Sequence, residues 1–506
     1  MSKNFLKYSL VTLSVSAFAM PAVAEISAQE LLDEWIAMSE GFGQQIEIGS
    51  QERDGDTLVI SNLSAVSTLP EGQLTATIDW LRLREVGGAV EITLSPRSEI
   101  LATAMPQPGM EVVVKGHTEQ ANTSVIVSGS LDELTLDISA DASSFSIDDI
   151  NVGPLQIEAG LFLGAENLTA SYGLDKLEGS KRSVEGSYAI GGFELSFDAK
   201  PPGDDGFVNG SLTMEDLELT FDANFVGLSD IEAMIGSGKN PLADVNGGID
   251  VNTGPIAFDF AFDIDGDNGA VDGTLGSAGG LISVTPEEFA YGFYERDAVI
   301  NAVSSAIPFP RVTLKYDEIA LDINAPLAQS DQPVAFTFLA ALRGIAVNEE
   351  IWGIFDPTGK LPHDPVTAAI DVSGTYNILA DLMNIGEIIS LGGPPAEPVS
   401  LNLNELLVSA AGAELTGQGA FTFNNDNLET FDGIPQPIGS VDLSLRGGFG
   451  LMDKLIEMRL VPADAALGIR AMLGAFAKPG DSADHFVSTI ELTPEGAVMA
   501  NGQRLR

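Results

Sequence analysis

One glycine-rich segment looks like a phosphate-binding loop. The run IGSGKN at 235–240 places Gly238 before Lys239. A P-loop needs another glycine five residues before that glycine, and a serine or threonine after the lysine, so that backbone amides and a hydroxyl can hold phosphate and magnesium. These two positions hold Ala233 and Asn240. The segment is therefore interpreted as a polar loop.

A second segment has the alternating acids of a calcium loop. Asp263, Asp265 and Asp267 stand two residues apart. An EF-hand loop also needs glycine at its sixth position and a bidentate glutamate at its twelfth, but the chain has Asn268 and Thr274 there. A strand that runs into a hairpin turn explains the pattern better. Weak calcium binding at the surface stays open.

Other catalytic and metal-binding patterns are missing from the sequence. The histidines, His117, His363 and His485, are far apart and the chain has no cysteine, which argues against structural zinc. There is no G-x-S-x-G nucleophile elbow, and the many acids make any chosen carboxylate dyad arbitrary. Arg82 and Arg84 share a face of one predicted strand and are expected to pair with carboxylates. We assign no catalytic, cofactor-binding or metal-binding residue, and predict a protein that is not an enzyme.

The first 24 residues predict export. Lys3 and Lys7 precede an apolar stretch over 8–20, and Ala22-Val23-Ala24 follows. This order is typical of a cleavable secretory signal peptide. We expect cleavage after Ala24 and a mature protein in the periplasm. No later run approaches the roughly 18 apolar residues of a spanning helix, so no transmembrane segment is expected in the mature chain.

Composition narrows the classes of ligand. With 24 basic and 73 acidic residues, the net charge is −49, which argues against nucleic acid and against simple adsorption to anionic lipid headgroups. The absence of cysteine excludes disulfides and an anchor attached through cysteine. The aromatic residues include 25 Phe but 7 Tyr and 3 Trp. Because phenylalanine has no polar group for a sugar hydroxyl, this composition favours a core or an apolar cavity over a carbohydrate platform.

Most of the chain alternates apolar and polar residues with period two. The pattern is typical of antiparallel strands with one solvated face, and Asp-Gly pairs such as Asp54-Gly55 and Asp432-Gly433 mark turns between them. A loose phrase recurs from Gly129, Gly186 and Gly210 at unequal spacing, which excludes a solenoid of fixed period. The clearest runs are Leu134–Ile138, Phe193–Phe197, Leu217–Phe221 and Phe258–Ile264.

Helices are predicted at a few places. Ser27 and Glu30 form a capping box before Leu31, Trp35, Met38 and Phe42 at helical spacing. Further helices are expected over 349–355, capped by Asn348, over part of 376–390, and as a hairpin over 451–459 and 463–477. The apolar residues of the last helix are Ile469, Met472, Leu473 and Phe476. Residues 285–305 fit either a helix or a strand.

The predicted fold is mainly β (α+β). It is a large antiparallel sheet, either curved or folded into a sandwich, with peripheral helices and a C-terminal helical hairpin. We place a soft boundary near residue 280. It separates a region over 25–280, with the first helix, from a region over 281–506 that contains the hairpin. The two regions can also form one continuous fold.

The proline-rich middle of the chain carries a family pattern. It reads Pro308-Phe309-Pro310, Phe355-Asp356-Pro357 and Leu361-Pro362, and the end adds Ala477-Lys478-Pro479-Gly480 and Asn501-Gly502-Gln503. With the exported start, the chain resembles a domain-of-unknown-function family of exported Gram-negative envelope proteins. More distantly it resembles AsmA-type envelope proteins. The resemblance implies a β-rich periplasmic protein, and the distant one suggests a lipid-related role by analogy.

Three functions compete. The first is a non-catalytic periplasmic protein that binds a lipid or another hydrophobic ligand in envelope maintenance. The second is an interaction protein whose partner is another envelope protein, and the third is a hydrolase with an unrecognised site. Under the first, Phe258, Phe260 and Phe262 are expected near an apolar groove. The alternative is a second sheet that covers this stripe as ordinary core.

Overall fold

The fold was examined in a computed structural model, which describes residues 26–41, 43–69, 71–177, 182–200, 206–225 and 246–506. The signal sequence and the IGSGKN segment lie outside these ranges. The described residues are mainly β-strand, paired antiparallel, with few helices, so the predicted fold class is confirmed. The chain divides into two compact units, Met1–Ala270 and Val271–Arg506, and each is described separately.

The first unit starts with one helix and continues as strands. The helix is α1 (Ala28–Gly41). The strands are β1 (Gln44–Asp54), β2 (Thr57–Leu69), β3 (Gly72–Val86), β4 (Ala89–Leu94), β5 (Arg97–Gln107), β6 (Met110–Ala121), β7 (Ser124–Ser130), β8 (Glu133–Val152), β9 (Leu155–Ile157), β10 (Ala159–Lys176), β11 (Arg182–Ala199), β12 (Phe207–Phe225), β13 (Gly247–Thr253) and β14 (Ile256–Ile264).

Helix α1 begins where the capping box predicts. The Ser27 amide donates to Glu30 Oε2 at 3.0 Å, and the Glu30 amide donates to Ser27 Oγ at 3.2 Å. Hydrogen bonds from the Ser27 amide and then from the Ser27 hydroxyl to the Glu30 carboxylate also lower the pKa of Glu30. The helix buries Leu31 and Leu32, each 1% exposed, against strands β1 to β3. The capping box and the apolar spacing therefore predicted a real helix with a real packing face; Phe42 lies outside the described residues.

Strands of the first unit pair mostly with their near neighbours in the chain. Three long strands, β3, β8 and β12, each pair along one edge with two shorter strands that follow one another along it. The pairs are β4 and β5 on β3, β6 and β7 on β8, and β13 and β14 on β12. The long strands thereby keep a wide sheet continuous.

Several strands of this sheet contain a corner residue with positive φ. At Asn167 (φ 53°) the pairing skips one residue, because Glu166 pairs with Gly192 and Leu168 with Ile190. Leu161 and Leu163 stand at odd positions before Asn167, and Leu168 and Tyr172 stand at even positions after it, yet they share one face of the sheet. Gly191 faces the corner, where an added Cβ would lie 3.1 Å from Asn167 Cβ. The other corner residues of this unit with a facing glycine are Asn62 with Gly49, and Asp216 with Gly254.

The second unit contains four helices among its described residues and the remaining strands, the first of which begins four residues before Val271. The helices are α2 (Glu349–Phe355), α3 (Ile385–Leu391), α4 (Gly448–Glu457) and α5 (Ala463–Phe476). The strands are β15 (Asp267–Leu275), β16 (Ser277–Val284), β17 (Glu288–Ser304), β18 (Val312–Pro326), β19 (Val334–Val347), β20 (Val366–Ile378), β21 (Ala396–Ala410), β22 (Ala413–Asn424), β23 (Gln436–Arg446), β24 (Lys478–Pro479), β25 (His485–Leu492), β26 (Val498–Ala500) and β27 (Gln503–Arg504).

The predicted helices of this unit are found at their places. The bounds of α2 match the prediction, although the Asn348 side-chain oxygen accepts from the Thr313 amide rather than from the helix. The ambiguous residues 285–305 form strand β17, and α3 is the helical part of 376–390. Helices α4 and α5 form the C-terminal pair. None of the helices among the described residues is long and apolar enough to cross a membrane.

Candidate functional site

One face of the first unit's sheet, here called the inner face, is apolar from strand to strand. The register shows this directly. Phe145 pairs with Leu163, Leu163 with Leu195, Leu195 with Leu212, and Leu212 with Phe258. This row crosses β8, β10, β11, β12 and β14 without a polar side chain. An apolar surface of this extent must be covered by protein or by a ligand, because its exposure to water is costly.

A cavity of about 380 Å³ lies on the inner face. Side chains from strands β2 to β11 line it, among them Leu74, Ala76, Ile100, Ile138, Leu168 and Tyr188. In a flat sheet β2 and β11 would lie about 29 Å apart, since neighbouring strands are spaced by roughly 4.8 Å. A single cavity bounded by both strands requires the sheet to curve around it. Within this unit the sheet is therefore curved.

Helix α1 spans the curve. It packs on β1 to β3, and Glu34 Oε1 on the same helix lies 3.0 Å from Arg182 Nη2 at the start of β11. The two side chains are 28% and 19% exposed, so water screens this ion pair only in part. Trp35 of α1 also lines the cavity. The helix thus links two distant strands of the sheet and covers the inner face between them.

Exposure divides the inner face into a closed part and an open part. In the closed part, side chains such as Ile60, Leu136 and Leu174 are at most 5% exposed and form the core, which extends past the Asn62 corner to Leu63 at 1%. Farther from helix α1, inner-face residues such as Leu74 and Leu163 are half-buried. We call this half-buried part the open groove. It is the part of the cavity wall that a ligand could reach.

The stripe of Phe258, Phe260 and Phe262 lies on the inner face, as an extension of the open groove. Phe260 and Phe262 are 37% and 40% exposed. Phe260 stacks on Phe197 and on Phe258, with ring centroids 6.1 and 5.9 Å apart. The stripe does not line the cavity itself. Its exposure shows that, among the described residues, nothing covers it as a packed second sheet would.

Most residues that line the cavity are apolar, and the polar ones are Gln44, Ser67, Ser98, Thr118, Glu119, Gln120, Thr123 and Ser143. Ser98 is 8% exposed, and Thr123 has a buried Oγ1 without a hydrogen-bond partner in the described part of the chain. Both residues line the cavity. Small-molecule sites are commonly apolar with a few such polar groups that fix orientation. The sequence could not single out Thr123, because a threonine in a strand-rich chain carries no local signal.

Each histidine lies beside a carboxylate. His117 Nδ1 is 2.8 Å from Asp148 Oδ2, and His363 Nδ1 is 2.9 Å from Glu349 Oε2 while its ring stacks on Trp352. The described residues contain no group of three side chains able to hold a metal ion. We interpret these two histidine–carboxylate pairs as structural contacts.

His485 belongs to a relay that sequence spacing did not reveal. Its Nε2 lies 3.0 Å from Ser444 Oγ, and its Nδ1 lies 2.6 Å from Asp481 Oδ1. Hydrogen bonds from Arg446 and then from His485 lower the pKa of Asp481 to about 2. The order resembles a serine hydrolase triad. However, β23 is paired on both edges at Ser444, so the local backbone amides serve the sheet rather than an oxyanion. The relay braces the end of β25.

The remaining sequence candidates have structural roles. Asp265 and Gly266, with φ of 53° and 88°, form the two-residue turn between β14 and β15, which confirms the hairpin interpretation of the calcium-like run. Arg84 pairs with Glu91. The Arg82 guanidinium instead lies over the Trp80 ring, 4.2 Å from its centroid.

No family model matches the chain, and no curated protein matches it.

Proposed function

We propose that the protein binds the acyl chains of a lipid in the open groove of its first unit and performs no catalysis. One observation carries this proposal: the cavity of about 380 Å³ opens onto an apolar face that continues to Phe262. Its volume falls within the roughly 300–1,000 Å³ of ligand pockets. The mostly apolar lining suits an alkyl chain.

The binding energetics favour a ligand with a long alkyl chain over a small solute. Each buried methylene contributes about 0.8 kcal/mol, so ten methylenes give about 8 kcal/mol. Association costs roughly 4–15 kcal/mol in lost freedom and ordering. Only a ligand with many methylenes, laid along several strands, offsets that cost. The continuation of the inner face beyond the cavity, over Phe258 and Phe260, supplies the additional contact area.

We further propose that the protein acts in the periplasm. The charged start, apolar stretch and Ala22-Val23-Ala24 end of the signal sequence support this proposal. In that compartment a soluble carrier or holder of lipid would serve envelope maintenance. A mature chain that starts at Glu25 is the expected mass-spectrometric result.

Native mass spectrometry of protein purified gently from its own host tests the groove. The parent should carry a lipid that denaturing spectra release. Ala76→Trp places an indole in the cavity and should reduce the bound lipid severalfold. Thr75→Trp is the matched control, because Thr75 is the next residue of β3 and points to the opposite face. Both variants should keep the circular dichroism spectrum of the parent.

Phe260→Asp tests the open end of the groove. Because Phe260 is 37% exposed, the substitution should leave the fold intact and lower lipid retention. A parent without lipid, or equal retention in Ala76→Trp and Thr75→Trp, would contradict the proposal. A second envelope protein recovered in stoichiometric complex through this face, with no lipid, would favour the interaction function instead.

A further inference from the structure

The C-terminal hairpin of α4 and α5 presents an apolar surface that the groove proposal does not use. The outward side chains of α5 include Leu467, Ile469, Met472 and Phe476, which are 70%, 45%, 62% and 39% exposed. An added Cβ at Gly468 or Gly474 would meet no atom within 4 Å. The outer surface of this helix is therefore free of packing among the described residues.

The inner side of α5 is firmly held. Ala466 is 2% exposed, and Arg470 pairs with Asp453 of α4 while its guanidinium lies over the Phe449 ring. Phe449 in turn packs on Phe486 of β25, with ring centroids 4.6 Å apart. The carbonyl of Phe476 accepts hydrogen bonds from Ser488 Oγ at 2.6 Å and from Asn501 Nδ2 at 2.8 Å. The sheet thus holds α5 in place with its apolar side outward.

The residues of α5 itself are apolar or small on nearly all sides of the helix. A helix of this kind is normally buried in a core or in lipid. Its one arginine is already paired with Asp453, and its only other charged residue is Asp464 in the first turn. Protein interfaces are usually anchored by Trp, Tyr and Arg with hydrogen-bonded partners. The outer surface of α5 has small and aliphatic residues with one phenylalanine. Such a surface is best matched by an environment without hydrogen-bonding groups.

The local charge of the hairpin differs from that of the chain. Between 448 and 476 there are three basic residues, Lys454, Arg459 and Arg470, and three acidic ones, Asp453, Glu457 and Asp464, so the hairpin is neutral. The whole chain has 24 basic and 73 acidic residues. Phosphate-bearing headgroups repel most of this protein, but they do not repel the hairpin. Interfacial helices combine an inserted apolar side with basic residues nearby.

We propose that the hairpin docks reversibly on a lipid bilayer surface, with the outer side of α5 inserted at the headgroup boundary. The inference rests on the exposure and charge of the hairpin and not on the groove. It adds a membrane-contact surface to a protein whose charge otherwise keeps it away from membranes. Flanking cations approach the phosphates, while Leu467 and Met472 enter the acyl region.

Vesicle flotation tests the docking. The probe is phosphatidylcholine vesicles with about 20% phosphatidylglycerol, at physiological ionic strength where charges beyond roughly 8 Å are screened. The parent should float with the vesicles. Leu467→Asp combined with Met472→Asp should weaken partitioning by about a hundredfold, since two apolar side chains lose their burial. Ile434→Asp is the control, because Ile434 is 61% exposed in the same unit but lies outside the hairpin.

Each result bears on the proposal. A parent that stays with the soluble fraction, or a double variant that floats like the parent, overturns it. Equal loss in the Ile434→Asp control overturns it too, because the effect would then reflect charge alone. A dimer of the parent that the double variant dissociates, without vesicle binding, assigns the surface to a second copy and also overturns it. Lipid retention by native mass spectrometry should be unchanged in the double variant, and Ala76→Trp should still float, so this proposal and the groove proposal fail separately.

Discussion

Two inner-face glycines of neighbouring strands should respond differently to the same substitution. An added Cβ at Gly186 of β11 would meet Tyr172 Cβ and the Ser171 carbonyl oxygen, both fixed to the backbone of β10. Tyr172 is 4% exposed. Neither contact can be relieved by a side-chain rotation. Gly186→Ala therefore overpacks the closed part of the inner face.

At Gly210 of β12, by contrast, the close atoms belong to the rings of Phe260 and Phe197. Phe260 is 37% exposed, so its ring can swing into the open groove. The loss is then mainly ring stacking, about 0.5–1.5 kcal/mol. This loss is partly offset, because alanine restricts the unfolded chain more than glycine does and so stabilises the folded state by about 0.4–1 kcal/mol.

The expected difference is about 1 kcal/mol. Overpacking costs typically 1–3 kcal/mol, and the restricted unfolded chain offsets about 0.4–1 kcal/mol of it here too, so Gly186→Ala should lower the free energy of unfolding by about 1–2 kcal/mol. Gly210→Ala should lower it by less than about 1 kcal/mol. Gly173→Ala serves as the control, because its added Cβ has no neighbour closer than 3.7 Å and should be neutral or stabilising. Urea midpoints at unchanged slope measure each free energy.

Equal losses at Gly186 and Gly210 would refute the reasoning, since they would mean that the Phe260 ring is as immobile as the backbone of β10. That result would also weaken the open groove, because a ring packed so firmly is core. The displaced Phe260 ring makes a second readout available: Gly210→Ala should retain less lipid than Gly173→Ala in native spectra.

Two further predictions concern the ends of the chain. Ser27→Ala removes the capping box of α1 and should lower the free energy of unfolding, measured in urea, by about 1 kcal/mol. Ser27→Asp keeps a capping oxygen and serves as the control. An alanine variant as stable as the parent would contradict the cap. The pKa of Asp481 is about 2, below its ordinary 3.8, so its ionised form contributes stability above pH 3.8 that is lost as the pH falls toward 2. Asp481→Asn should thus flatten the pH dependence of stability in this acid range, and an unchanged slope in thermal melts would refute the role of the relay.

Local signals in the sequence were sufficient to predict helices α1 and α2 and the C-terminal hairpin. The capping box at Ser27 and the spacing of Ile469, Met472 and Leu473 are determined by neighbouring residues, and the structure contains those helices. Residues 285–305 stayed ambiguous, because Thr285 begins them like a helix cap. In the structure its Oγ1 accepts from the amides of Glu287 and Glu288 in the turn before β17.

The groove itself could not be predicted beyond its apolar stripe. The curvature was inferred from side chains of distant strands that line one cavity, and a corner such as Asn167, with its positive φ, looks in sequence like any turn residue. The Glu34–Arg182 pair and the Ser444–His485–Asp481 relay join side chains from distant segments, and their distances follow from register rather than from spacing. The exposure of Leu467 likewise depends on which side of α5 faces α4.

The neighbour-to-neighbour pairing of the first unit also has a consequence for how the chain folds. Strands such as β10, β11 and β12 can zip together as successive hairpins, a low contact order that favours fast folding. The Glu34–Arg182 contact is different, because its partners are 148 residues apart. The helix can reach β11 only after the intervening strands have formed. Docking of α1 across the curved sheet is then a late step, and until it occurs the apolar face is open to aggregation or to a chaperone.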